Sequence, residues 1–168
     1  AVNNAFQQQG SNEAVQEKAE TEFNGFVQKL TAAGIDVTVV PDTPIPHTPD
    51  SIFPNNWISF HHDGSIVLYP MYAVNRRAER KQHVFDTIQT KFAIKHTIDF
   101  TEREHQNRFL EGTGSMVLDR DNRIAYACLS PRTEKTLFEE WCVQLGYKPC
   151  SFHAVDENGG EIYHTNVM

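Results

Sequence analysis

The chain lacks the marks of several large functional classes. No apolar run approaches the ~20 residues of a membrane-spanning helix, and no signal peptide is visible. There is no P-loop and no GxGxxG; Gly112, Gly114 and the Gly159-Gly160 pair are insufficient for either. Positive charge is scarce. Fifteen Lys and Arg stand against 22 Asp and Glu, and a net charge of −7 argues against a nucleic-acid surface, which needs a basic stripe to meet phosphate. Cysteine is scarce too: Cys128, Cys142 and Cys150 form an odd set without CxxC spacing, as expected of reduced thiols in a cytoplasmic protein. At 168 residues the chain is long enough to bury roughly 70% of its unfolded surface, which makes one real core.

What is present is a spacing. Asn56, Glu111 and His164 lie 55 and 53 residues apart, each just ahead of, or at the start of, an apolar strand-like run. The runs are FPNNWISF (53–60), FLEGTGSMVLD (109–119) and IYHTNVM (162–168). Such intervals suggest one structural unit reused, with a different polar side chain at the same strand-end position each time. The period slightly exceeds the 20–50 residues of most repeat arrays, which suits a whole ββαβ module.

Local patterns support that reading. In the first full unit, strands over 57–60 and 66–69 flank a turn at His62-Asp63-Gly64-Ser65, followed by a helix over 76–92 and a strand over 94–98. In the second, strands over 115–118 and 123–128 flank a turn at 119–122, followed by a helix over 131–145 and a strand over 147–152. Asp63-Gly64 and Asp121-Asn122 tolerate the positive φ that tight hairpins require. Half a unit precedes these, a helix over 13–33 and a strand over 35–40, and 161–168 reads as the opening of another. The domain plan is a single domain over 1–168: a partial module at 1–50, modules at 51–105 and 106–155, and the start of a next at 156–168.

Leu137, Phe138, Trp141, Cys142 and Leu145 follow a buried helical stripe, with Ser130 as cap, Pro131 at the first helical position and Gly146 as the stop. Val84, Phe85, Ile88 and Phe92 make the stripe of the middle helix. Arg76, Arg77, Glu79, Arg80 and Lys81 at its start read as a solvated face, with Arg76-Arg77 a candidate for an amino-acid carboxylate. Trp57 and Trp141 read as core. His61-His62 is a poor metal pair, because adjacent strand residues point to opposite faces. The fold class is α/β.

Three segments together resemble the amidinotransferase-like, guanidine-modifying enzymes of the pentein superfamily: 50–80 (DSIFPNNWISFHHDGSIVLYPMYAVNRRAER), 109–133 (FLEGTGSMVLDRDNRIAYACLSPRT) and 154–168 (AVDENGGEIYHTNVM). The likeness is greatest to the bacterial arginine deiminase-related, or citrulline-utilization, hydrolases. It implies a pentein-type α/β propeller of ββαβ modules, of which this chain would hold about three of five. It also implies attack of a cysteine thiolate on a guanidinium carbon, with no metal and no cofactor. On that pattern Glu111 grips the planar head group, Gly112 and Gly114 allow close backbone approach, and His164 moves protons. Asn56, Asn55, Asp50 and Asn166 become candidate substrate contacts.

Two departures qualify the pattern. Many deiminases carry aspartate where this chain has Asn56 and Asn166, which weakens a guanidino substrate relative to a ureido one. The family's nucleophilic cysteine lies in a later module that this chain does not contain. Cys142 reads as a core thiol, Cys128 as structural, and Cys150 lies away from the site position. The sequence is thus read as part of a longer, cytoplasmic enzyme that is incomplete by itself. The expected partners are a small guanidino or ureido molecule, and a second copy or the remaining C-terminal portion. The alternative is a non-catalytic pentein-fold binding protein.

Overall fold

The computed structural model describes residues 13–168. Those residues fall into two compact units divided between Thr43 and Pro44. The first contains helix α1, Glu13–Ala32, which ends where Gly34 takes a left-handed φ of +84° and Ile35 N–H returns to the Leu30 carbonyl. The first twelve residues of the expected partial module lie outside the described residues. The expected strand over 35–40 joins no ladder among the described residues. A strand is defined by its neighbour, and apolar alternation cannot supply one.

The second unit contains two sheets of identical topology. Strands β1 (Ile58–Phe60), β2 (Ser65–Leu68) and β3 (His96–Asp99) form one, with β1–β2 antiparallel and β2–β3 parallel. Strands β4 (Met116–Asp119), β5 (Ile124–Cys128) and β6 (Lys148–Phe152) form the other with the same senses. Helical segments α2 (Val74–Arg77) and α3 (Gln82–Gln89) link β2 to β3, while α5 (Lys135–Leu145) links β5 to β6. The strand–strand–helix–strand order therefore occurs twice.

The hairpin turns close on carboxylates. Asp63 Oδ1 accepts from Ser65 N–H, with Gly64 at φ +88°. Asp119 Oδ1 and Oδ2 accept from the backbone and side-chain nitrogens of Asn122, which moves the left-handed residue on to Arg123, at φ +56°. Arg123 lies over the Tyr147 ring and donates to the carbonyls of Leu145 and Gly146, taking up acceptors left open at the end of α5.

Four local expectations are corrected. Helix α5 begins later, at Lys135, because 130–133 close a tight turn through reciprocal Ser130–Thr133 backbone bonds; Glu134, not Ser130, is the cap, accepting from Thr136 and Leu137 N–H. The expected helix over 76–92 breaks between α2 and α3, with Lys81 extended. Its basic residues are not a solvated face: Arg76 and Glu79 are 5% and 3% exposed, paired to each other, and Arg80 pairs with Glu104. Finally, 161–168 forms one bridge at Glu161 and a 3-10 turn at Thr165–Val167 rather than a strand. Its polar groups go elsewhere: Thr165 Oγ1 accepts from Cys128 N–H and donates to the Ser115 carbonyl.

The main core packs Val67, Tyr69, Leu110, Met116, Leu137, Phe138 and Trp141 between the sheets and α5; a smaller one joins Trp57, Ile58, Ile66 and Met71 to α3. Phe92 of the expected α3 stripe is instead exposed, beside Phe60. Cys142 is a core thiol whose pKa burial pushes up to about 12, Cys128 is also buried, and Cys150 is exposed.

Candidate active site

Three backbone turns from three parts of the chain meet at one point. The first is the 3-10 turn Pro54–Asn56, ahead of β1. The second is α4, Gly112–Ser115, ahead of β4; the third is the residue pair His164-Thr165, entering the last turn. They approach closely because α4 is glycine-rich. Gly112 has φ +46°, and a Cβ there would run into the carbonyl of Asn55. A Cβ at Gly114 would run into Asn56 Nδ2 and stand 3.1 Å from His164 Cε1. Gly114→Ala is therefore expected to destabilise the protein by about 1–3 kcal/mol by overpacking. Urea unfolding measures this, and a change below about 0.5 kcal/mol would show that the turns can separate freely.

Glu111 lies at the centre, fully buried. Its Oε2 is 2.7 Å from His164 Nε2 and accepts from Arg132 Nη1 at 3.3 Å, while Oε1 accepts from Tyr72 N–H at 3.0 Å. Burial alone would raise its pKa. The His164 hydrogen bond and the Arg132 charge outweigh that and hold the carboxyl below its ordinary range. Ser115 fixes the turn beneath it, accepting from Glu111 N–H and from Thr133 Oγ1 while donating to the Arg132 carbonyl. With Nε2–H turned to the carboxylate, His164 Nδ1 faces Gly114.

Arg132 escaped the sequence reading. It is 7% exposed, with its guanidinium 4.4 Å from the Tyr163 ring centre and 5.7 Å from that of Tyr72. The signal available in the chain was its position: SPRT follows β5 as LEGTGS precedes β4, one module end beside another.

Of the remaining candidates, Asn56 joins the cluster. It is buried, and its Oδ1 accepts from Arg76 Nη1 at 2.6 Å. Half-buried Asn55 contributes backbone, its carbonyl accepting from Thr113 Oγ1. Asp50 is buried, and its carbonyl accepts from Arg76 Nη2. Asn166 is exposed and takes no part in the Glu111–His164 contact or the Arg76–Asn56 bond. Arg76 is bound into the fold rather than presented to a ligand, and Arg77 donates to the Met71 carbonyl. No group of three or more His, Cys, Asp or Glu among the described residues is placed to hold a metal ion.

The family-model match places the chain in the pentein superfamily of guanidine-modifying enzymes. Within it, this chain belongs to the family described as N,N dimethylarginine dimethylhydrolase, eukaryotic, whose family model matches residues 1–168. Among solved structures it resembles the substrate-bound N-terminal domain of ArgZ, an arginine dihydrolase from the ornithine-ammonia cycle in cyanobacteria. That match has a TM-score of 0.66 at 21% identity, over 87% of this chain and 50% of the other. A dimethylarginine dimethylaminohydrolase adduct matches with a TM-score of 0.64 at 17% identity, over 88% of this chain and 54% of the other. AgrE with bound L-arginine matches with a TM-score of 0.66 at 21% identity, over 89% of this chain and 20% of the other. The chain thus spans about half the length, or less, of the solved structures it matches. Comparison with curated proteins gives no match.

Proposed function

We propose that this chain is part of a cofactor-free hydrolase that cleaves a C–N bond of an arginine- or citrulline-like compound through a cysteine thiolate supplied from outside these 168 residues. The observation that carries the proposal is the buried 2.7 Å contact between Glu111 and His164. Glu111 holds the Nε2–H tautomer and stabilises the imidazolium that forms when Nδ1 takes a proton, as in other nucleophile–base pairs. The thiolate adds to the head-group carbon. The His164 imidazolium gives its proton to the departing nitrogen and the C–N bond breaks, leaving the head-group carbon bonded to sulfur, as an isothiouronium from a guanidino compound or a thiocarbamate from a ureido one. His164 then deprotonates water, whose oxygen bonds to that carbon, and the C–S bond breaks to return the thiolate. An amine in place of water would make the same site an amidinotransferase.

Glu111 accepts three bonds, so one of its roughly four lone-pair sites is left for the head group. In this role Asn56 and Asn55 line the head-group end, with Asp50 and Asn166 at the rim. The related ArgZ domain supports a covalent route: one variant of it was crystallised covalently bonded to a reaction intermediate, and its substrate complex is a cysteine-to-serine variant. Three free cysteines among the described residues fit a reducing, cytoplasmic location.

A haloacetamidine, which alkylates a thiolate at a guanidine site, tests the proposal. The full-length protein is expected to take one label outside residues 1–168, blocked by substrate, with Cys128, Cys142 and Cys150 unmodified. Substrate-protected labelling of any of those three would overturn the account of where the nucleophile lies.

A further inference from the structure

Asn56 does not choose its own orientation. Arg76 is buried and its guanidinium carries only N–H donors, so the side-chain atom that Nη1 meets at 2.6 Å must be the amide oxygen. The rest of the guanidinium is clamped. Nε donates to Glu79 Oε1 at 2.8 Å, while Nη2 donates to Glu79 Oε2 at 2.9 Å and to the Phe53 carbonyl at 3.0 Å. This is a bidentate pair with almost no solvent contact, so rotating the Asn56 amide by half a turn would set its NH₂ group against a buried cation's donors. The nitrogen Nδ2 is thereby held against Gly114 and beside the His164 ring, and no hydrogen bond within the described residues takes up its protons.

We propose that Arg76, braced by Glu79, is a positioning residue that fixes the Asn56 amide with Nδ2 toward His164, so that the site offers a donor to the reacting head group at that point. The proposal rests on the function given above and deepens it. A guanidinium presents donors on every edge and gains nothing from a second donor. A ureido head group, or the oxygen added at the head-group carbon when water attacks, presents an acceptor. A site built to hydrogen-bond one atom type rejects the analogue lacking it more strongly than a methylene-sized pocket rejects a size change. The site therefore favours the oxygen-bearing species, and Asn56 owes that preference to a residue with no substrate contact of its own.

The test uses the full-length protein, ¹⁵N-labelled, with L-citrulline as the ureido probe and L-arginine as the guanidino probe. The Asn56 side-chain NH₂ pair is identified by its loss in Asn56→Asp. It is expected to shift on adding citrulline, and to move toward free-amide positions in the double variant R76M/E79Q, which removes both charges together. In that variant the citrulline-to-arginine ratio of kcat/KM should fall by about tenfold or more. Asn56→Asp keeps an acceptor for Arg76 and loses the donor, so it should lower the same ratio even if the double variant folds poorly. A ratio within about twofold of the parent protein in both variants would overturn the proposal. If the protein turns over neither probe, the functional reading fails separately; the proposal is then decided by the amide pair, and an unmoved pair in R76M/E79Q sinks it.

Discussion

Replacing His164 with alanine in the full-length protein is expected to lower kcat by about 10²–10⁴-fold, with KM changing far less. The imidazole serves both halves of the proposed reaction, as acid for the departing nitrogen and as base for water, so its removal slows both. Substrate binding depends on it less, because Asn56 and the remaining lone pair of Glu111 are still in place. The fold should tolerate the change: Glu111 keeps its bonds from Arg132 and Tyr72 N–H. Glu111→Gln separates the contributions. It retains an acceptor for Nε2–H and loses the charge that stabilises the imidazolium, so kcat should again fall, with a stability loss from the weakened Arg132 pairing and from the amide NH₂ set against Tyr72 N–H. Ammonia or amine release under saturating substrate measures both variants. A His164→Ala protein within about twofold of the parent kcat would remove the chemical basis of the proposed function.

The second large effect concerns stability. Arg132→Met is expected to cost about 3–5 kcal/mol at neutral pH, because it leaves a fully buried Glu111 without its permanent cation. The sign of the pH dependence follows from the lowered carboxyl. A group whose folded pKa lies below its unfolded value stabilises the fold above that unfolded value, near 4.5 here, and loses the contribution as pH falls through the folded one. Without Arg132, one of the contributions that offset burial is gone while the His164 hydrogen bond remains, so the Glu111 carboxyl should rise relative to the parent and the variant should lose stability at a higher pH. Urea unfolding at neutral pH and at about pH 3 would show a gap that is wide first and narrow second. An equal gap at both would mean that Arg132 acts by packing between Tyr72 and Tyr163 and not by charge.

Much of the framework was legible in the chain. The stripe Leu137, Phe138, Trp141, Cys142 lies on the buried face of α5, and Gly146 ends that helix at φ +71°. The turn at Asp63-Gly64 falls where residue chemistry placed it, while the second lies one residue later than expected, with its positive φ at Arg123 instead of Asp121-Asn122. Glu111, His164 and Asn56 stood out by their spacing, and the structure brings them together. Yet the same reading lost Arg132 and misjudged Arg76. A charged residue in a row of charged residues looks exposed until its partners are known, and the partners of Arg76 include the Phe53 carbonyl and Asn56, 20 and more residues away. The Arg76–Glu79 spacing of three was a readable ion-pair signal. That the pair would be buried was not readable.

The division has a physical cause. Strand alternation, helical stripes and turn residues express geometry within a few residues of chain, so composition and order suffice to place them. Which nitrogen faces Glu111, which end of the Asn56 amide meets a guanidinium, and where the helix over 131–145 really starts depend on groups delivered by separate modules. Burial then forces each such group to find a partner. His164 reaches Glu111 across 53 positions, a distance at which local pattern carries no information about contact. Only the packed fold could choose among the available donors and acceptors.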